Sequence, residues 1–176
     1  MLIGLITDTH IPEAGKEIPP QVFDVFKDVE LILHGGDMHD PQVLDWLESV
    51  APVMAVQGNG DIGDRGNGQP HHDPRVKKTQ VLEIEGLQIG MVHDFPLPHE
   101  APWLSFGGFM DSLFDGKMDI VICGHTHMPH VTPHEDSIIV NSGSPTMPNN
   151  LRGGLGTVAL LDTNGGNPQI DIIQLK

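Results

Sequence analysis

Residues 31–59 read LILHGGDMHDPQVLDWLESVAPVMAVQGN. Leu31-Ile32-Leu33 is a short apolar run of the kind buried on both faces of a sheet, and it stops at His34-Gly35-Gly36-Asp37. Asp40-Pro41 then supplies an N-cap and first-turn pair for a helix whose apolar positions are Val43, Leu44, Trp46 and Leu47. A second run, Val53-Met54-Ala55-Val56, stops at Gly58-Asn59. Upstream, Leu2 to Thr7 repeats the first pattern and ends at Asp8, and Pro19-Pro20 opens a helix carrying Val22, Phe23, Val25 and Phe26. This β-α-β-α-β order predicts parallel strands joined by right-handed crossovers, which places the three polar strand ends along one edge of a sheet.

Further along, Val81–Ile84 and Leu87–Val92 read as a hairpin turning at Glu85-Gly86 and ending at His93-Asp94. A helix is predicted over 109–114. The strand Asp119–Cys123 runs into Gly124-His125-Thr126-His127, and the last third is hairpins, with strands at 138–140, 157–161 and 170–175. Gly60 to Arg75 has the composition of a surface loop.

At 176 residues and 38% hydrophobic content the chain fits one domain spanning 1–176. It lacks a membrane-length apolar run and a secretory leader, so a soluble, cytoplasmic protein without a membrane partner is expected. Cys123 is the single cysteine; it sits in an apolar run and reads as an inert core residue. The net charge of −15, with Lys77-Lys78 as the one adjacent basic pair, disfavours extended nucleic acid as a partner. A small anionic substrate remains acceptable wherever bound cations offset the acidic field.

Five strands end in metal-ligating chemistry: Asp8 and His10, Asp37, Asn59, His93, then His125 and His127. Alternation along an extended backbone would aim Asp8 with His10, and His125 with His127, at common points. Carboxylate and imidazole without thiolate suit first-row divalent ions. Seven donors exceed what one ion with an open position needs, so two ions sharing a carboxylate, Asp37, is the natural solution. Each fragment alone has an ordinary explanation: Asp-x-His as a turn or cap, Gly-Asp as a loop start, Gly-Asn as a left-handed turn. All five following strands in order is a different matter.

The order Asp-x-His, Gly-Asp, Gly-Asn, strand-end His, Gly-His-x-His resembles the calcineurin-like metallophosphoesterase superfamily, and within it the small single-domain YfcE-type phosphodiesterases. Asn141-Ser142-Gly143-Ser144-Pro145 is similar to that group's Asn-Pro-Gly-Ser stretch. The resemblance implies an α/β fold, a two-sheet sandwich flanked by helices. It implies one ion on Asp8, His10, Asp37 and His127, and a second on Asp37, Asn59, His93 and His125. Manganese is the first candidate; nickel, iron and zinc also suit these donors. Two such ions roughly 3.5–4 Å apart would hold a bridging hydroxide for in-line attack on a small phosphate ester, with Asp37 and Asn59 at the reacting centre and no protein nucleophile.

One departure stands out. Larger members carry a histidine after Gly-Asn, and small relatives often a cysteine, whereas this chain has Gly60. A substitute proton donor would have to come from elsewhere, with His39 or His99 as candidates, although a helix-start histidine such as His39 more commonly lies on the surface. Asp61 is expected to hold the loop beside Asn59. His34 reads as a packed core histidine or a support for a ligand, and His71, His72, His130 and His134 as solvent-facing. Arg65, Arg75 and Arg152 are expected in surface salt bridges, Arg152 being the best placed to meet a phosphate. Pro96 to Phe109, with Trp103 and Phe106, would wall a substrate pocket or form a contact between copies in a homo-oligomer. The rival functions are a non-catalytic interaction scaffold, which loss of ligands would favour, and a metal-dependent nuclease, which the acidic surface disfavours.

Overall fold

A computed structural model describes residues 1–62 and 72–176. Strands β1 (Leu2–Ile6), β2 (Leu31–His34) and β3 (Val53–Val56) are joined by helices α1 (Pro20–Phe26) and α2 (Gln42–Glu48). β1 pairs parallel with β2, and β2 with β3, as the alternating pattern requires. A two-residue strand β4 (Val76–Lys77) extends this sheet beyond β3, and the hairpin β10 (Thr157–Asp162) and β11 (Gln169–Gln174) extends it beyond β1. The second sheet is built from β5 (Thr79–Ile84), β6 (Leu87–Val92), β7 (Ile120–Cys123), β8 (His130–His134) and β9 (Ser137–Asn141), in the order β5-β6-β7-β9-β8. Helix α3 is Phe106–Phe114.

Side-chain alternation decides the layering. Ile3, Leu5, Leu31 and Leu33 of the first sheet meet Ile89, Met91, Ile120 and Ile122 of the second in one dry interface. The opposite face of the first sheet, through Ile6, Ile32 and Ala55, packs on Val22 and Phe26 of α1 and on Val43, Leu44 and Leu47 of α2. Val121, Cys123 and Ile139 on the outer face of the second sheet take Met110 and Phe114 of α3. The chain therefore forms the two-sheet α/β sandwich flanked by helices that the motif order implied. Cys123 lies in this core, and burial pushes its thiol up and out of the reactive range.

The differences from the sequence reading are local. α2 starts after Pro41, and the Asp40 carboxylate accepts from the Gln42 N–H at 2.9 Å as an Asx turn just outside it. α3 begins earlier than expected, at Phe106, because Ser105 Oγ caps the Gly108 N–H. β4 and β8 were not expected. β8 contains Pro133 and survives because it is the edge of its sheet, where a missing N–H costs no ladder bond. The loop expected over 60–75 lies mostly outside the described residues, as do Arg65 and His71. No helix among the described residues is long and apolar enough to cross a membrane.

Candidate metal centre

The ligand-bearing residues stand just beyond the ends of β1, β2, β3, β6 and β7, and main-chain bonds lace these ends together. Asp8 N–H donates to Gly36 O at 2.9 Å, His10 N–H to Asp37 O at 3.0 Å, and Gly124 N–H to His93 O at 2.8 Å. Gly36 adopts φ 99°, and a Cβ there would lie 2.8 Å from both His93 Nδ1 and Gly58 N, so only glycine lets the three strand ends approach this closely.

Five donors are buried together: Asp8, His10, Asp37, His93 and His127. His127 Nε2 lies 3.4 Å from Asp8 Oδ1, and His10 Nε2 lies 3.8 Å from Asp8 Oδ1 and 3.9 Å from Asp37 Oδ2. His93 Nε2 sits 3.5 Å from Asp37 Oδ2 and 3.9 Å from Asp8 Oδ1. Asn59 and His125 are exposed at the rim and pair with each other, Oδ1 to Nδ1 at 2.9 Å.

Asp8 and His10 meet, though not through the extended alternation expected, and His125 and His127 do not share a point. Asp8 (φ 54°), His10 (φ 46°), Asp37 (φ 54°), His125 (φ 70°) and His127 (φ 60°) all have left-handed backbones, and so does His39 (φ 66°). Such turns cost on the order of 1 kcal/mol each in a non-glycine residue, and they cluster where side chains are aimed for function. As a result His125 and His127 diverge, one toward Asn59 and the other toward Asp8.

The electrostatics suit a cation. Burial would raise the Asp8 carboxyl, yet the imidazoles of His10, His127 and His93 around it hold it well below the ordinary carboxylate range. Burial opposes charge on His93 too, but Asp37 and Asp8 push its pKa up to about 9. Both shifts record two buried carboxylates drawing in whatever positive charge is available. His93 Nε2 makes no hydrogen bond, while His93 Nδ1 and His127 Nδ1 are tied to main-chain carbonyls, Gly35 O at 2.8 Å and Met147 O at 3.0 Å. A carbonyl can only accept, so each ring keeps a proton on Nδ1 and turns Nε2 to the centre, the nitrogen an incoming cation would take by displacing any second proton. These donors fit a divalent ion. Among the described residues, Asp8 with His10 and His127, and Asp8 with Asp37 and His93, each gather ligand atoms within 4.8 Å of one another.

Several supports were less visible in the sequence. Asp61 was expected beside Asn59; its carboxylate also accepts from the N–H groups of Asp37, His39 and Gly58 at 2.8–2.9 Å, binding the ends of β2 and β3 into one unit. Ser144 Oγ donates to Asp8 O at 2.7 Å, Thr146 Oγ1 to Thr9 O at 2.8 Å, and Asn141 Nδ2 to Gly124 O at 2.7 Å. His34 is a core histidine: burial lowers its pKa to about 4, and its Nδ1 accepts the Gly36 N–H at 3.1 Å.

His39 is buried, not superficial, and its Nε2 lies 3.0 Å from His10 Nδ1. His99 is exposed beside a separate cavity of about 230 Å³. His72 is solvent-facing as expected, whereas His130 and His134 are half-buried, His134 against Phe106. Arg75 is held by Asp45, Glu48 and Asp73, each at 2.7 Å, and Arg152 reaches Glu13 at 4.0 Å. Residues 96–107 line a cavity of about 440 Å³ that borders none of the seven donors. Among the described residues, a cavity of about 390 Å³ borders three of the donors, Asn59, His93 and His125, with Ile62, Val92, Lys78 and Asp94 on its walls.

The family model of the calcineurin-like phosphoesterase superfamily domain matches residues 1–166. The chain belongs to this superfamily. A probable metallophosphoesterase of Methanothermobacter thermautotrophicus is 42% identical over 149 residues, covering 84% of this chain and 79% of that protein. A phosphodiesterase of Methanocaldococcus jannaschii is 27% identical over 173 residues, 93% of each chain. Among solved structures, wild-type Vps29 of Entamoeba histolytica complexed with zinc superposes with a TM-score of 0.69 over the full length of both chains at 22% identity, a likeness of fold.

Proposed function

We propose that this superfamily member is a binuclear, metal-dependent phosphodiesterase that hydrolyses a small phosphate ester. The observation that carries the reading is the convergence of imidazole Nε2 atoms from three strand ends on the buried pair Asp8 and Asp37, with Asn59 and His125 beside them at an open rim. Asp8, His10, Asp37 and His127 would hold one ion, and Asp37, Asn59, His93 and His125 the second, with Asp37 common to both. Manganese is the first candidate, ahead of nickel, iron and zinc. When bound, such ions supply positive charge against the phosphoryl oxygens and make water acidic enough to attack at neutral pH.

The remaining work belongs to the chain. Asp37 is held in place through its own Oδ1, which accepts the Gly60 N–H, and through its N–H on Asp61. The buried wall of Asp8, His10 and His127 excludes bulk water from one side, so the ester enters from the rim. There Asn59 offers its amide to a phosphoryl oxygen, and the apolar walls at Ile62 and Val92 accept the ester substituent. Lys78 supplies a cation in an otherwise acidic chain. The phosphodiesterase relative points the same way.

The test is metal analysis of purified protein coupled to turnover of bis(p-nitrophenyl) phosphate and p-nitrophenyl phosphate, with and without added Mn²⁺, for wild type and Asp37→Asn. About two ions per chain and diester turnover lost in the variant are expected. Absence of bound metal and of turnover under every added ion would sink the proposal and leave a binding scaffold on this fold.

A further inference from the structure

The three buried imidazoles of the centre are not anchored alike. His93 and His127 rest on main-chain carbonyls, whereas His10 rests on a side chain, with its Nδ1 3.0 Å from Nε2 of His39. A neutral imidazole that gives Nε2 to a cation carries its proton on Nδ1, so His10 must donate and His39 Nε2 must accept. That places the His39 proton on its own Nδ1. This atom is buried and makes no hydrogen bond, and the acceptor in front of it is Glu13 Oε2 at 3.8 Å, on a half-exposed side chain whose other charged neighbour is Arg152 at 4.0 Å.

Gly60 belongs to the same arrangement. A Cβ at this position would overlap the His39 ring nitrogen Nε2 and crowd its Cδ2. The missing side chain at 60 is what gives the His39 ring its room. The two positions exclude each other: with a side chain at 60, His39 could not reach His10.

Resting on the binuclear reading above, we propose that His39 is a positioning residue: a Glu13–His39–His10 chain of hydrogen bonds fixes the His10 ring and sets how tightly it holds its ion. This task differs from proton donation to a leaving group, because the His39 nitrogen nearest the centre is already used as an acceptor.

The test is Co²⁺ titrated into metal-free protein, read by its visible absorption and by competition with a chelator, for wild type, His39→Leu, His39→Gln, Glu13→Gln and Gly60→Ala, with circular dichroism to confirm folding. Loss of such a support weakens metal affinity about 10- to 100-fold, so His39→Leu should weaken one Co²⁺ by that factor and leave the other. His39→Gln, which keeps an acceptor, should recover most of it. Gly60→Ala, whose Cβ would overlap the His39 ring and lie 3.1 Å from Asp37 Oδ1, should weaken the same ion at least as much as His39→Leu, and His39→Leu should add little on top of it. Glu13→Gln, at a half-exposed site where the lost Arg152 pair is worth little to folding, should give a smaller weakening of the same ion.

Unchanged Co²⁺ affinity in folded His39→Leu and Gly60→Ala would overturn the proposal. So would a loss confined to turnover and growing with leaving-group basicity, which would make His39 the acid. A wild type that binds no Co²⁺ would instead refute the binuclear reading itself.

Discussion

The candidate centre has a closed half and an open half. Asp8, His10 and His127 are at most 8% exposed and are braced from behind by Ser144, Thr146 and Met147, while Asn59 and His125 stand at the surface with their side chains paired to each other, the His125 N–H on the Asp8 carboxylate and its ring edge-on to His93. Asp37, also buried, lies between them. An ion in the closed half would be desolvated and held by preorganised donors; one in the open half would keep water and exchange readily. Under the proposed binuclear reading the two ions would not be equivalent, and the substrate with its leaving group would lie on the open side.

The most severe way to break the comparison is to remove the shared carboxylate. Asp37→Asn should abolish both halves at once, lowering diester turnover by about 10³ or more, the several kcal/mol that cation stabilisation of the phosphoryl group represents. Next, His127→Ala and Asn59→Ala should separate the halves. Metal analysis is expected to show the closed-half ion lost from the first and only the open-half ion weakened in the second; equal loss from both would erase the distinction.

Asp61→Ala tests the joint between the strand ends. It leaves three buried N–H groups without an acceptor and should cost about 2–4 kcal/mol in urea unfolding of the metal-free chain.

A smaller effect is set by pH. In the metal-free chain the pKa of His93 rises from 6.5 to about 9, so its contribution to stability is full below about pH 6.5 and is lost as pH climbs through 9. An ion must displace that proton. Metal affinity should therefore increase with pH across the same window, with proton release on binding measurable by calorimetry in two buffers of different ionisation enthalpy. Affinity flat over that range would show that His93 is not displaced.

The smallest expected effect is that of salt. Turnover of a small diester at an open rim with one lysine should change little between low and physiological ionic strength, whereas a polynucleotide substrate would show a steep loss.

Most of the frame was legible because apolar runs at β1, β2 and β3 are punctuated by Gly, Asp and Asn, and a strand buried on both faces has no other reading. The donors were legible for the same reason: polar chemistry begins where those runs stop. What escaped was three-dimensional. The two residues of β4 and the proline-bearing β8 are too short or too irregular to show a period, and they form because a neighbouring strand is already there. Nothing in Met38-His39-Asp40 signals that the imidazole turns inward, since its direction depends on the left-handed φ of 66° and on the space over Gly60. Glu13, far from any strand end, carried no signal.

The left-handed backbone at Asp8, His10, Asp37, His39, His125 and His127 sets fold and activity against each other. Glycine would relieve about 1 kcal/mol of backbone strain at each of these positions, at little cost at the exposed His125 and against lost hydrogen bonds and ion pairs at the five buried ones, so selection for stability alone should erode the exposed turn first. Within this fold, lineages that have abandoned chemistry should therefore be recognisable by glycine or asparagine at these turns, and those that keep Asp and His there carry a continuing thermodynamic burden that only a working centre would repay.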